Sequence, residues 1–392
     1  MLNRTNGHGK NHLERSRPPF EQIALLLQGG GALGAYQAGV YEALSESGIH
    51  PDWVAGISIG AINAALIAGN SPEVRVDRLR AFWESVTSHP WALVGNSWAG
   101  LPACGDLARE LANQASAAFA LAAGAWGFFT PRSLPPWLAP SGAPEATSWY
   151  DTKPLKAKLE ELVDFDRVNA GETRLSVGAV NVRTGNLTYF DTTTHMIGPA
   201  HVMGSGALPP GFPAVEIEGE HFWDGGMVSN TPLQWVLESE PQRDTLAFQV
   251  DLWSARGDLP RTIAEVTTRQ KEIQFSSRTR ASSDSFKYSQ GIRGALTHLL
   301  DELPAHLKQS AEAEMLRGVA SNKVYNLIQL IYRSERYEGA SKDFDFSARS
   351  MQQHWRAGYH DTVRTLRHPE VLERPKQHGG VYTFDLGRDG RE

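Results

Sequence analysis

Two short segments of this chain carry residue types arranged for nucleophilic chemistry. Ser58 lies in Gly56-Ile57-Ser58-Ile59-Gly60, directly after the apolar run Trp53-Val54-Ala55. That pattern predicts a sharp strand-to-helix turn that lifts a serine hydroxyl above a sheet, and the elbow glycines Gly56 and Gly60 let the backbone make the turn. Ala61 to Ala68 follows as a good helix former. The amide of Ile59 and the positive end of a helix dipole should therefore point at whatever Ser58 attacks. A serine also needs a base. The best candidate is Asp224, at the end of the run Phe222-Trp223, where the base-loop glycines Gly225 and Gly226 allow close approach by a ligand or another backbone.

The third segment is Gly29-Gly30-Gly31-Ala32-Leu33-Gly34, after the apolar stretch Ile23 to Leu27. Taken by itself it also fits a dinucleotide fingerprint, which requires an acid about 20 positions on, at the end of the second strand. Asp52 has the distance but precedes its strand, which ends in Ser58, so no nucleotide is expected.

Glycine loop, serine elbow and Asp-Gly-Gly, in this order and spacing over residues 22 to 233, resemble the patatin-like phospholipases. Ser229-Asn230-Thr231-Pro232-Leu233 adds to the likeness. Downstream, Asp343-Phe344-Asp345-Phe346-Ser347 and Trp355-Arg356-Ala357-Gly358-Tyr359 are similar to the C-terminal extension of one bacterial subgroup. The resemblance implies that Ser58 attacks an ester carbonyl and that Asp224 takes its proton directly, as a Ser-Asp dyad without histidine. It also implies an oxyanion hole in the glycine loop, built from Gly29, Gly30 and Gly31 together with Ile59. The family usually carries Arg or Lys where this chain has Leu33, and restoring that charge is expected to be tolerated.

Histidine is the rival base, because most serine hydrolases use Ser, His and an acid. In the chain order Ser, acid, His of the α/β-hydrolases, the first histidines after Asp224 are His298 and His306, in a stretch that reads as amphipathic helix. His195, His201 and His221 precede the aspartate. No His-Glu-x-x-His motif and no cysteine pair is present, so neither a metal nor another cofactor is expected.

The positioning elements read as an α/β chain. Strands are expected at Ile23 to Leu27, Trp53 to Ser58, Leu175 to Val182, Leu187 to Phe190, Thr245 to Asp251 and Val324 to Ile331, with helices between several of them. Continuously apolar strands are buried on both faces. The expectation is a three-layer αβα patatin-like fold with a largely parallel central sheet, Ser58 at its carboxyl edge and a helical insert over the site. Thr231 and Pro232 should start a helix as N-cap and first-turn residue.

Residues 1–20 are expected to be a disordered tail and 21–260 the hydrolase core. Residues 261–392 should form a mainly helical extension with a late strand near 324–332. Within the core, 87–150 is an apolar insert with Trp91, Trp98, Trp126, Trp137 and Trp149. Its uncharged run Leu111 to Thr130 is too poor in Leu, Ile and Val for a membrane span. The insert is expected either to cover the site as a lid that sets acyl preference, or to pack as ordinary core. The segment Arg261 to Leu316 carries Arg269, Lys271, Arg278, Arg280 and Lys287, which could form a basic face toward anionic lipid.

A net charge of -6 argues against nucleic acid. Cys104 is the only cysteine, and Met1 to Pro19 has no apolar h-region, so a cytoplasmic enzyme is expected, with peripheral contact at the inner membrane face. The function expected is a lipid acyl hydrolase acting through an acyl-enzyme. Alternatives are a neutral esterase or storage-polyester hydrolase of the same fold, and a non-catalytic lipid-binding pseudoenzyme.

Overall fold

The computed structural model describes residues 17–88, 106–334, 338–339, 341–376 and 379–386. Trp91, Trp98, Cys104 and most of the N-terminal tail lie outside the described residues, as do the side chains of Arg278 and Arg280.

Nine strands form the central sheet. In chain order its six parallel members are β1 (Gln22–Leu27), β2 (Trp53–Ile57), β5 (Arg174–Asn181), β9 (Thr245–Asp251), β10 (Val324–Ile331) and β11 (Gly380–Phe384). The antiparallel members are β6 (Leu187–Asp191), β7 (Val215–Ile217) and β8 (Glu220–Asp224). The order is β11-β10-β9-β1-β2-β5-β8-β7, with β6 also paired to β5. A separate ribbon joins β3 (Thr130–Pro131) to β4 (Tyr150–Asp151). The sheet is therefore mixed, mostly parallel and flanked by helices, as expected. The sequence reading missed β7, β8 and β11 as strands. All three are short, and β7 and β8 meet at the tight turn Glu218-Gly219 rather than at the ends of a long apolar run.

Alternate residues of a strand face opposite ways, and the two faces have separate cores. Ile23, Leu25 and Leu27 of β1 join the larger core, together with α1 (Ala35–Glu46), α2 (Ile59–Ala68) and α3 (Arg75–Thr87). Ala24 and Leu26 face a smaller core closed by Leu233, Val236, Leu237 and Phe286. Phe286 belongs to the 40-residue helix Ile263–Glu302, so the third layer is shared between the helix Leu233–Leu237 and a helix from beyond residue 260.

The C-terminal part is built into the core. β10 pairs with β9 over seven residues, from Tyr325 opposite Thr245 to Ile331 opposite Asp251. The helix Ala348–Leu366 lies against α1 at a glycine-to-backbone crossing. There a Cβ on Gly39 would overlap the Trp355 carbonyl, and one on Gly358 would overlap that of Tyr36.

Of the insert, the described part is the helix Asp106–Ala123, the β3-β4 ribbon and 3-10 turns. Phe128 and Phe129 are buried against Phe212 and Phe346, ring centroids 5.3 to 6.0 Å apart. Trp137 and Leu138 are 72% and 64% exposed. The insert thus divides into a packed half and an open half. Among the described residues no helix is long and apolar enough to cross a membrane.

Leu33 is wholly buried in the larger core. The expectation that a basic residue would be tolerated there is corrected by this burial, because an unpaired charge loses its hydration and finds no partner. Leu33→Arg should lower unfolding free energy by about 3 kcal/mol or more, measured as a shift in the urea midpoint. An unshifted midpoint would mean the side chain finds a route to solvent.

Candidate active site

In a doubly wound sheet, ligands bind outside the carboxyl ends of the strands, where chain direction switches. Here β1 connects through α1 to β2 on one side, while β9 lies on its other side and feeds the helix on the opposite face. The glycine loop leaves β1, the elbow leaves β2 and Leu252-Trp253 leaves β9, all at this edge.

Ser58 has φ 56° and ψ −124°, a conformation that costs a non-glycine residue of order 1–3 kcal/mol and persists only where its surroundings impose it. Packing imposes it here. A Cβ on Gly56 would overlap the Gly60 carbonyl, and one on Gly60 would overlap that of Leu27. A side chain also holds the turn: Ser58 N donates to Ser205 Oγ at 3.0 Å, and that hydroxyl donates to the Gly178 carbonyl at 2.6 Å. Ser205, fully buried, went unnoticed in the sequence, since an isolated serine 147 residues away gives no local signal.

Asp224 ends β8, opposite Ala179 of β5, and is 97% buried. Burial pushes its carboxyl up to about 6, opposed by a hydrogen bond from the Ser58 hydroxyl and one from Gly226 N at 2.7 Å. The structure thus brings the Ser58 hydroxyl within reach of the Asp224 carboxyl, from opposite ends of the core sequence. Gly225 lies against β5, where a Cβ would overlap the Gly178 carbonyl.

The glycine loop is held by a buried polar network. Gln28 Oε1 accepts from the amides of Leu252 (2.6 Å) and Trp253 (3.0 Å), and its Nε2 donates to Thr231 Oγ1 (3.0 Å). Gln37 Nε2 donates to the Gln28 carbonyl. Asn63 Nδ2 donates to Gln37 Oε1 and to the Gly34 carbonyl, and Trp83 Nε1 donates to Asn63 Oδ1. Thr231 therefore ties the base loop to the glycine loop. The expectation that it N-caps a helix is corrected: the helix is Leu233–Leu237, Pro232 is its cap position and no side chain caps it. Asp251, one link further on, bonds Thr231 and Gln249 and is pushed by burial up to about 7.

Of the four residues expected to form an oxyanion hole, Gly29 is excluded as a donor because its amide is bonded to the Asn230 carbonyl at 3.2 Å. None of the described hydrogen bonds uses the amides of Gly30 or Gly31, and Ile59 opens α2, where the first N–H groups lack helical partners. Gly31 has φ +57°, and a Cβ there would overlap the Asp343 carbonyl.

The rival histidines lie elsewhere. His298 is exposed beside Glu302, His201 packs on Phe190 and accepts from Gly198 N, and none of the described histidine contacts involves Ser58 or Asp224. Among the described residues no three His, Cys, Asp or Glu side chains are grouped to hold a metal. The basic face expected over Arg261 to Leu316 is partly spent on ion pairs, Arg269 with Glu272 and Lys271 with Asp343.

A family model described as "Patatin-like phospholipase" matches residues 25–236, and a second, described as "Patatin phospholipase", matches residues 273–378. Patatin-like phospholipase domain-containing protein ZK370.4 of Caenorhabditis elegans is 44% identical over 69 residues, 18% of this chain and 5% of that protein. Lysophospholipase nte1 of Aspergillus terreus is 50% identical over 52 residues, 13% of this chain and 3% of its own length. The chain thus spans only a small fraction of these curated relatives. The structure of VipD from Legionella pneumophila aligns with 90% of this chain and 67% of that chain at 18% identity and TM-score 0.35. With the first family model spanning more than half of its length, the chain belongs to the patatin-like phospholipase family.

Proposed function

We propose that this protein is a lipid acyl hydrolase that cleaves carboxylic esters through an acyl-enzyme on Ser58. The observation that carries the reading is the Ser58 hydroxyl set beside the buried Asp224 carboxyl, with uncommitted amides at the edge of the sheet. Asp224 accepts the serine proton as Ser58 Oγ bonds to the ester carbonyl carbon, and the proton passes to the departing alcohol. Water then attacks the acyl-enzyme with Asp224 again as base. The amides of Gly30, Gly31 and Ile59 receive the oxyanion, where a single donor is worth about 2.7–4 kcal/mol in other hydrolases.

A pKa of about 6 suits the task, since a base works best when its pKa lies near the operating pH. Family membership supports an acyl lipid as substrate. Trp137, Leu138, Leu134 and Trp149, all exposed, support peripheral contact with a lipid surface, since Trp favours the membrane-water interface. We place the enzyme in the cytoplasm, at the inner face of the membrane.

Ser58→Ala and Asp224→Asn should each lower hydrolysis of a p-nitrophenyl ester by about three orders of magnitude or more, because members of a nucleophile-base unit fail together. Circular dichroism checks the fold. An Asp224→Asn enzyme that kept most of its activity would require a different base.

The same carboxyl links stability to pH. Its folded pKa lies above the ordinary 3.8, so the folded state binds the proton more tightly than the unfolded state. Below about pH 4 the burial penalty is absent, it grows between pH 4 and 6, and above that it is fully present at about 3 kcal/mol. Asp224→Asn should therefore be more stable than the parent at pH 8 and equal to it near pH 4 in paired denaturant titrations. Equal stability at both pH values would show that Asp224 is not held charged in a desolvated place.

A further inference from the structure

Three consecutive glycines have little backbone preference of their own, so the direction of each peptide in the loop must be imposed from outside. The Gly29 carbonyl accepts two side-chain hydrogen bonds, from Trp253 Nε1 and from Asn230 Nδ2, both at 3.0 Å. A trans peptide directs its C=O and the following N–H oppositely. Among the described residues only Pro209-Pro210 and Glu240-Pro241 are cis. Pinning the Gly29 oxygen against Trp253 and Asn230 thus turns the Gly30 N–H away from them, on the loop that borders Ser58; a Cβ on Gly29 would lie 3.0 Å from Ser58 Cβ.

We propose that Trp253 is a positioning residue for the oxyanion site, fixing through the Gly29 carbonyl the direction of the Gly30 amide, and that the C-terminal extension exists in part to hold it. This rests on the acyl-hydrolase reading of Ser58. The indole has little freedom. Its backbone amide is bonded to Gln28 Oε1, its ring lies 5.4 Å from that of Phe275, and Lys342 Nζ lies 5.1 Å over its face.

Lys342 is buried, with its ammonium bonded to Glu272 at 2.9 Å and Ser334 at 2.6 Å. The next residue, Asp343, bonds Lys271 through both carboxylate oxygens, while its carbonyl abuts Gly31. The turn Lys342–Phe344 therefore touches the loop twice, through Trp253 at Gly29 and directly at Gly31. This gives the region matched by the second family model a place in the chemistry.

The test is the rate at which a fluorophosphonate probe labels the full-length protein. In that reaction Ser58 Oγ bonds to phosphorus, the P–F bond breaks, fluoride leaves and the hydroxyl proton passes to Asp224. The phosphoryl oxygen takes the place of the oxyanion. Trp253→Phe keeps an aromatic ring but removes the N–H together with the five-membered part of the indole. It should slow labelling about tenfold and weaken binding of an alkyl trifluoromethyl ketone by the same factor, leaving KM for a p-nitrophenyl ester near that of the parent, while the buried cavity lowers the melting temperature by a few degrees without unfolding the protein at the assay temperature. Asn230→Ala, which frees the same oxygen from the other side, should do likewise, and carries the test if Trp253→Phe does not fold. Parent-like labelling in the folded variants, or a rise in KM without loss of ketone affinity, would overturn the positioning role. A parent protein that does not label at all would overturn the hydrolase reading, and this inference with it.

Discussion

The constraint on which the site depends is the burial of one carboxyl group against one hydroxyl. Asp224 is enclosed by β5, β8 and the elbow, with hydrogen bonds from Ser58 and Gly226. A desolvated carboxylate without a cation is costly. A pKa of about 6 is the expression of that cost, and it suits the base role we propose for the group near neutral pH. A histidine placed between the two would add a partner to the carboxylate and hold its pKa down. In the mechanism we propose, with no histidine between them, the acid itself takes the proton.

The surrounding contacts hold the elbow, the base loop and the glycine loop in register. The elbow conformation of Ser58 is strained and is locked by glycine-backbone contacts and by Ser205. The glycine loop, intrinsically loose, is bound through Gln28 at its start and by Gln37, Asn63, Trp253 and Asn230, whose amide and indole groups reach it from four different elements and loops. Because β10, β11 and the helix Ala348–Leu366 share the sheet and core of the first 260 residues, the extension is part of the same rigid support. It also ends on the loop itself, at Lys342–Phe344.

Those features whose cause is local were legible in the sequence. Apolar runs marked six strands within a residue or two. The turns at Ser58, at Asp224 and in the glycine loop were legible because a turn that needs glycine at fixed offsets leaves a fixed spacing. Contacts made across the fold left no such trace. Ser205, Trp253 and Asp251 are single residues whose meaning comes from a partner more than 100 positions away or from burial, and Thr231 spends its hydroxyl on Gln28 instead of capping a helix. Leu33 could be recognised as a departure from the family, but not as a core residue. Gly29 could not be separated from Gly30 until its amide was seen to bond Asn230.

The central claim is that Asp224 activates Ser58 directly, and the pH dependence of fluorophosphonate labelling tests it most closely. The account predicts a labelling rate at Ser58 that rises with pH through one ionisation near 6 and then levels, with the step gone and the rate near background in Asp224→Asn. A step of the same position and height in Asp224→Asn would assign the ionisation to another group and contradict the account.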